Sequence, residues 1–177
     1  MSHNRLTEEQ RRQLQERMAR NPGVILEQVA QKENCALADV IEALPASAWT
    51  RAGGEHFMDV LGAVSAWGSP VTVIVHTADV IMEFTGPLPA GNVGHGFYNL
   101  SGSTGLHGHL SYQNCGAIYF LERPFMGKAT ASLVFANRDG QAMFKIYAGR
   151  DDAGALLADQ VNAMRELIRH ATTREAA

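Results

Sequence analysis

Cysteine is scarce: two in 177 residues, Cys35 and Cys115, far apart and in no Cys-x-x-Cys or Cys-x-x-Cys-His spacing. That leaves no disulfide framework, no thiolate metal knuckle and no covalently tethered prosthetic group, and it suits a reducing cytoplasm. Both thiols read as small apolar core residues. No apolar run approaches the ~18 residues of a membrane span. The opening Met1-Ser2-His3-Asn4-Arg5 leads to Glu8 and Glu9 without an apolar stretch, so no secretory leader is expected. Net charge is only −3, from 15 Lys and Arg against 18 Asp and Glu. Bulk attraction to nucleic acid or anionic lipid is therefore not expected. Gly-x-Ser-x-Gly, His-Glu-x-x-His and a phosphate-binding glycine loop are all missing, which removes the common hydrolase and nucleotide-binding signatures. Gly102-Ser103-Thr104-Gly105 lacks a following Gly-Lys-Ser/Thr and reads as a turn.

What remains is a chain of 46% hydrophobic and 19% charged residues, long enough for one domain with a sizeable core. The first third is helical in pattern. Thr7 with Gln10 three residues on is a capping box, and the helix it opens should end near Asn21-Pro22-Gly23. Val24–Gln31 and Leu37–Leu44 repeat apolar residues at helical spacing, and Pro45 stops the second. This pair could be a helix-turn-helix. However, the candidate reading helix carries Asp39 and Glu42 and no Lys or Arg, which opposes DNA binding and a regulator role. Phe57, Leu61, Val64 and Trp67 form another helical stripe, one expected to lie on a sheet.

From Val71 the period becomes two. Strands are expected at Val71–His76, Val80–Phe84, Gly96–Leu100, Leu106–Tyr112, Ala117–Glu122, Ala129–Ala136 and Gln141–Tyr147. Asn137-Arg138-Asp139-Gly140 is a hairpin signal. A helix over Ala155–His170 closes the chain, with Asp151-Asp152 as its N-terminal cap. The expected fold is α+β: N-terminal helices, a long antiparallel meander sheet and a C-terminal helix. A single domain over 1–177 is expected, with the polar helix of 1–22 peripheral to a body of 23–170.

Four of the seven histidines (His76, His95, His107 and His109) fall between Val71 and His109, among valine, isoleucine and phenylalanine. A histidine on a strand needs partners for two ring nitrogens, so such a cluster suggests a metal or a flat apolar ligand. His107-Gly108-His109 resembles the metal pair of a barrel, but no carboxylate follows it and the only later histidine is His170. A porphyrin asks for less: one or two axial donors, an apolar wall and some cations. His76, Tyr98 and His109 are candidate donors, Ile74, Met82, Phe84 and Phe97 candidate wall, and Arg123, Lys128 and Lys145 candidate charge.

Val75-His76-Thr77-Ala78-Asp79-Val80-Ile81, His95-Gly96-Phe97-Tyr98-Asn99-Leu100, Gly108-His109, Glu122-Arg123-Pro124-Phe125-Met126-Gly127 and Lys145–Asp152 together resemble the ChuX/HutX family of intracellular haem-utilisation proteins. The resemblance spans about Gly23 to His170. It implies a homodimer whose subunit is a half-unit of the larger cytoplasmic haem-handling proteins. It further implies a non-enzymatic carrier that binds haem b reversibly in the cytoplasm and hands it to a haem-degrading enzyme. The other reading is a haem-degrading oxygenase of the same fold. The family's two haem-associated histidines fall on His76 and His109, its ligating tyrosine on the Phe97–Tyr98 pair, taken as Tyr98, with Phe97 and Arg123 beside the cofactor. Some members carry tyrosine where Phe97 stands. The resemblance carries no role onto His107.

Overall fold

The computed structural model describes residues 6–101 and 105–175. Helix α1 (Glu8–Arg20) starts on the capping box read from sequence: Thr7 Oγ1 accepts from Gln10 N, and Gln10 Oε1 accepts from Thr7 N at 2.9 Å. Helices α2 (Leu26–Glu33) and α3 (Leu37–Glu42) follow. Asn34 ends α2 in the left-handed region, φ 50°, a conformation asparagine tolerates. Helix α1 is not peripheral to the body, because Leu14 and Met18 are buried with α2 and α3 in one apolar cluster.

A six-stranded antiparallel sheet carries the body. In chain order its strands are β1 (Trp49–Gly53), β2 (Pro70–His76), β3 (Ile81–Pro87), β7 (Cys115–Phe125), β8 (Lys128–Asn137) and β9 (Ala142–Tyr147), in the spatial order β1-β7-β8-β9-β2-β3. Only β7, β8 and β9 run as a meander. The β2–β3 hairpin docks its first strand on β9, so one expected meander becomes a three-stranded meander with a hairpin beside it. Strands β4 (Gly91–Gly94), β5 (Phe97–Leu100) and β6 (Gly108–Leu110) form a separate three-stranded sheet. Neither β1 nor β4 is apparent from sequence, since Trp-Thr-Arg-Ala-Gly and Gly-Asn-Val-Gly lack alternation and gain their hydrogen bonds only from partners. The segment 102–104, read as a turn, lies outside the described residues.

Each face of the large sheet closes one core. On one side Ala117, Tyr119, Leu121 and Val134 pack against α1–α3. On the other, Ile118, Phe120, Leu133, Phe135 and Ile146 pack against α4 (Phe57–Ala66) and α5 (Ala158–Glu175), joined by Tyr98 and Leu100 of the small sheet. Phe135 and Phe144 stack at 4.5 Å and Phe57 meets both edge-on, the arrangement aromatic quadrupoles favour. Helix α4 thus lies on the sheet as its stripe predicts.

Helix α5 begins three residues later than expected. Asp151 caps a turn instead, its Oδ1 accepting from Ala155 N at 2.9 Å. Buried Gln160 ties α5 to β2, donating to Ser69 Oγ and Pro70 O and accepting from Gly149 N. The 137–140 hairpin forms as read, with Gly140 at φ +74° and Asn137 Oδ1 accepting from Asp139 N and Gln141 N. Among the described residues no helix is long and apolar enough to cross a membrane.

Candidate functional site

The small sheet carries His109. Strands β4 and β5 are joined by His95 and Gly96, at φ 52° and 83°: two consecutive positive values, as in a type I′ hairpin turn. His95 is therefore an exposed turn residue, and His107 is exposed just outside β6. Cross-strand register puts Asn92, Asn99 and His109 on one face, and Val93, Tyr98 and Leu110 on the other. The His109 ring is exposed, 6.0 Å from Phe97 and tilted 64° to it. Its Nδ1 lies 2.6 Å from Asn99 Oδ1. Phe97 keeps 39% of its surface in water, a large apolar ring left uncovered beside an imidazole.

Tyr98 sits on the opposite face and is 6% exposed. Its ring packs edge-on against Phe57, and a Cβ at Gly91 would overlap it, so glycine there makes the seat possible. Burial pushes its phenol up, against a smaller lowering from the Gly91 backbone. A tyrosinate ligand needs the opposite, an exposed and readily ionised phenol. In this structure Tyr98 is a core residue of the small sheet.

His76 ends β2, where Thr77 Oγ1 accepts from Val80 N and closes the turn to β3. Its ring lies on the α2 side of the large sheet, Nδ1 3.5 Å from Glu27 Oε1. The Lys145 ammonium bonds the same carboxylate oxygen. Burial pushes the Glu27 carboxyl up. Lys145, through its charge and hydrogen bond and aided by His76, outweighs this and holds the group below the usual carboxylate range. His76, Glu27, Gln141 and Leu37 line a cleft of about 560 Å³ between α2 and the sheet. The structure thus gives His76 and His109 different neighbours, one on each sheet.

The expected cations are mostly engaged elsewhere. Arg123 is 9% exposed, and its Nη1 donates to Pro22 O at 2.6 Å and Val24 O at 2.9 Å, pinning the α1–α2 connection. Its guanidinium also lies over the Phe125 ring at 5.4 Å. Arg123 thus holds the α1–α2 connection through its Nη1. Lys145 is committed to Glu27, while Lys128 is exposed. Of the wall candidates, Met82 is 65% exposed and Ile74 and Phe84 half-buried. Among the described residues no three His, Cys, Asp or Glu side chains converge as a metal site. Cys35 and Cys115 are buried and their thiols pushed up to about 11 by burial, so neither is reactive at neutral pH.

Two residues of these sites escape sequence reading. Glu27 meets its partner 118 positions away, and nothing local marks it. Asn99 has one signal, a polar side chain in the interior of the short strand Phe-Tyr-Asn-Leu.

The comparisons with known proteins agree with this architecture. Residues 50–167 match the family model described as haem utilisation ChuX/HutX. The intracellular heme transport protein HutX of Vibrio cholerae is 35% identical over 150 residues, 84% of this chain and 77% of that protein. A solved structure of the heme binding protein ChuX shares 44% identity with a TM-score of 0.80, over 89% of this chain and 97% of that one. At 13% identity the likeness reaches the heme degrading enzyme ChuS of Escherichia coli O157:H7 as fold alone, with a TM-score of 0.71 over 93% of this chain and 49% of that one. The fold is thus a half-unit of that larger architecture. With the family model covering 118 of 177 residues, the chain belongs to the ChuX/HutX haem utilisation family.

Proposed function

We propose that this protein binds haem b reversibly in the cytoplasm and passes it to a haem-degrading enzyme without turning it over itself. The observation that carries this reading is His109: an exposed imidazole with one nitrogen tethered and the other turned outward, beside the uncovered Phe97 ring. Imidazole supplies the iron donor and Phe97 part of the porphyrin wall. His76, at the mouth of the α2 cleft, stands second as a donor. One axial bond plus partial burial of the ring matches a carrier. It holds cargo at micromolar to nanomolar affinity, on the order of 8–12 kcal/mol, and still lets it go. The names of the similar proteins HutX and ChuX support haem as the ligand. A homodimer is part of the same reading.

The test is a hemin titration followed by absorption spectroscopy. Saturable growth of a Soret band is expected, and a flat titration would reject the reading. Adding a reductant and oxygen to the loaded protein separates carrier from oxygenase. The Soret band of a carrier persists, while ring opening would bleach it. Sedimentation of the free and loaded protein reads the dimer directly.

A further inference from the structure

We infer that Asn99 is a positioning residue that fixes the tautomer of His109 and so prepares Nε2 as the iron donor, an inference resting on the haem reading above. The amide nitrogen of Asn99 donates toward three backbone carbonyls: Gly94 O at 3.0 Å, and Asn92 O and Phe97 O at 3.3 Å. These three oxygens determine which way the amide points. The reversed amide would set its own oxygen against all of them, a lone-pair repulsion with no compensating bond. Asn99 Oδ1 therefore faces His109, and an amide oxygen only accepts. At 2.6 Å the proton between the two groups belongs to His109 Nδ1, which donates to Asn99 Oδ1. A neutral imidazole carries one proton, so Nε2 keeps its lone pair and turns it outward from the exposed face shared with Phe97. The other tautomer would put two lone pairs in contact and a proton where iron must bind.

The arrangement costs the apoprotein little reorganisation on binding, because tautomer and ring orientation are set before the ligand arrives. It also makes the imidazole a better donor, since a hydrogen bond at Nδ1–H pushes electron density toward Nε2. The β4–β5 turn thus has two roles. It closes the hairpin, and it brings together the strand carbonyls of Asn92, Gly94 and Phe97 that hold the amide.

Long-range nitrogen–proton correlation NMR on the ligand-free protein at neutral pH tests this directly, with His109 assigned by difference from His109→Ala. A protonated Nδ1 and a bare Nε2 are expected. A protonated Nε2, or a mixture of tautomers, overturns the inference whether or not hemin binds. Two variants add a second readout. Asn99→Asp keeps the acceptor and gives up the donors, whereas Asn99→Leu gives up both. Hemin affinity should fall about 10- to 100-fold in Asn99→Leu and fall less in Asn99→Asp, which keeps the acceptor for Nδ1–H although its second oxygen meets the three carbonyls. The iron–histidine stretch of the ferrous complex should rise in Asn99→Asp, because a carboxylate draws harder on Nδ1–H. Equal affinity and equal stretch in all three proteins would refute it. Should Asn99→Leu fail to fold, the wild-type tautomer and the Asn99→Asp stretch still decide. Failure of the wild type to bind hemin would sink the haem reading while leaving the tautomer measurable.

Discussion

His76 and His109 are the same residue type on two short strands, yet their surroundings differ in kind. His109 stands on the open face of a three-stranded sheet and is held by a neutral amide. His76 ends a strand of the large sheet and faces a carboxylate that a buried ammonium already claims. A neutral acceptor aims an imidazole without adding charge, and the other nitrogen is left for a ligand. A carboxylate shared with a lysine makes the histidine a third neighbour of the ion pair that joins a helix to a sheet. The contrast separates two histidines similar in sequence context: one on an open face beside a neutral amide, one beside an ion pair that joins a helix to a sheet.

Removing each ring should break that symmetry most visibly. His109→Ala is expected to weaken hemin binding by roughly 100-fold or more, about 3 kcal/mol, and to change the ligand-field bands. His76→Ala should cost less than about 10-fold and keep those bands. Titration of both variants checks this, and equal losses would erase the distinction.

The ion pair should show itself in stability. Glu27→Ala leaves the ammonium of Lys145, a residue only 6% exposed, without its partner. A loss of roughly 2–3 kcal/mol is expected, somewhat below that of a fully buried pair because the Glu27 side chain is 21% exposed. Urea unfolding at neutral pH measures it, and hemin affinity per folded molecule should barely move.

The same carboxylate gives a pH signature. Its folded pKa is lowered, so its contribution is fully present above the unfolded value, about 4.3, and disappears as pH falls through the folded value beneath that. The stability gap between wild type and Glu27→Gln should close in acid, as pH falls below about 4.3 through the folded value. A gap that widened in acid would contradict the assigned sign.

The smallest effects concern the aromatic neighbours of His109. Phe97→Ala should weaken hemin binding by about 5- to 10-fold while leaving stability nearly unchanged, since its ring is half in water. Tyr98→Phe should leave the haem spectrum as it is. A tyrosinate charge-transfer band lost in that variant would restore Tyr98 as a ligand.

Much of the architecture is legible in the chain. The Thr7–Gln10 capping box, the Phe57–Val64 stripe and the Asn137–Gly140 hairpin each appear where local chemistry places them, because caps, periodicity and turn residues act over a few positions. The strands that alternation cannot reveal are the edge strand β1 and the glycine-rich β4, held by partners distant in sequence. The site is partly legible. Alternation sets Tyr98 and Asn99 on opposite faces, but it cannot say which face meets the core.

The sequence by itself therefore determined the family, the α+β class, the helical first third and the histidine-rich strands as the region of interest. All of these follow from local pattern or from ordered motif matches. Only the tertiary structure decided what each of those residues can do. It buried the Tyr98 phenol against Phe57, spent Arg123 on two carbonyls of the α1–α2 connection, and brought Glu27 to Lys145 and His76. It also set Asn99 against His109. These outcomes depend on burial and on partners up to 118 residues apart, and neither propensity nor spacing carries that information.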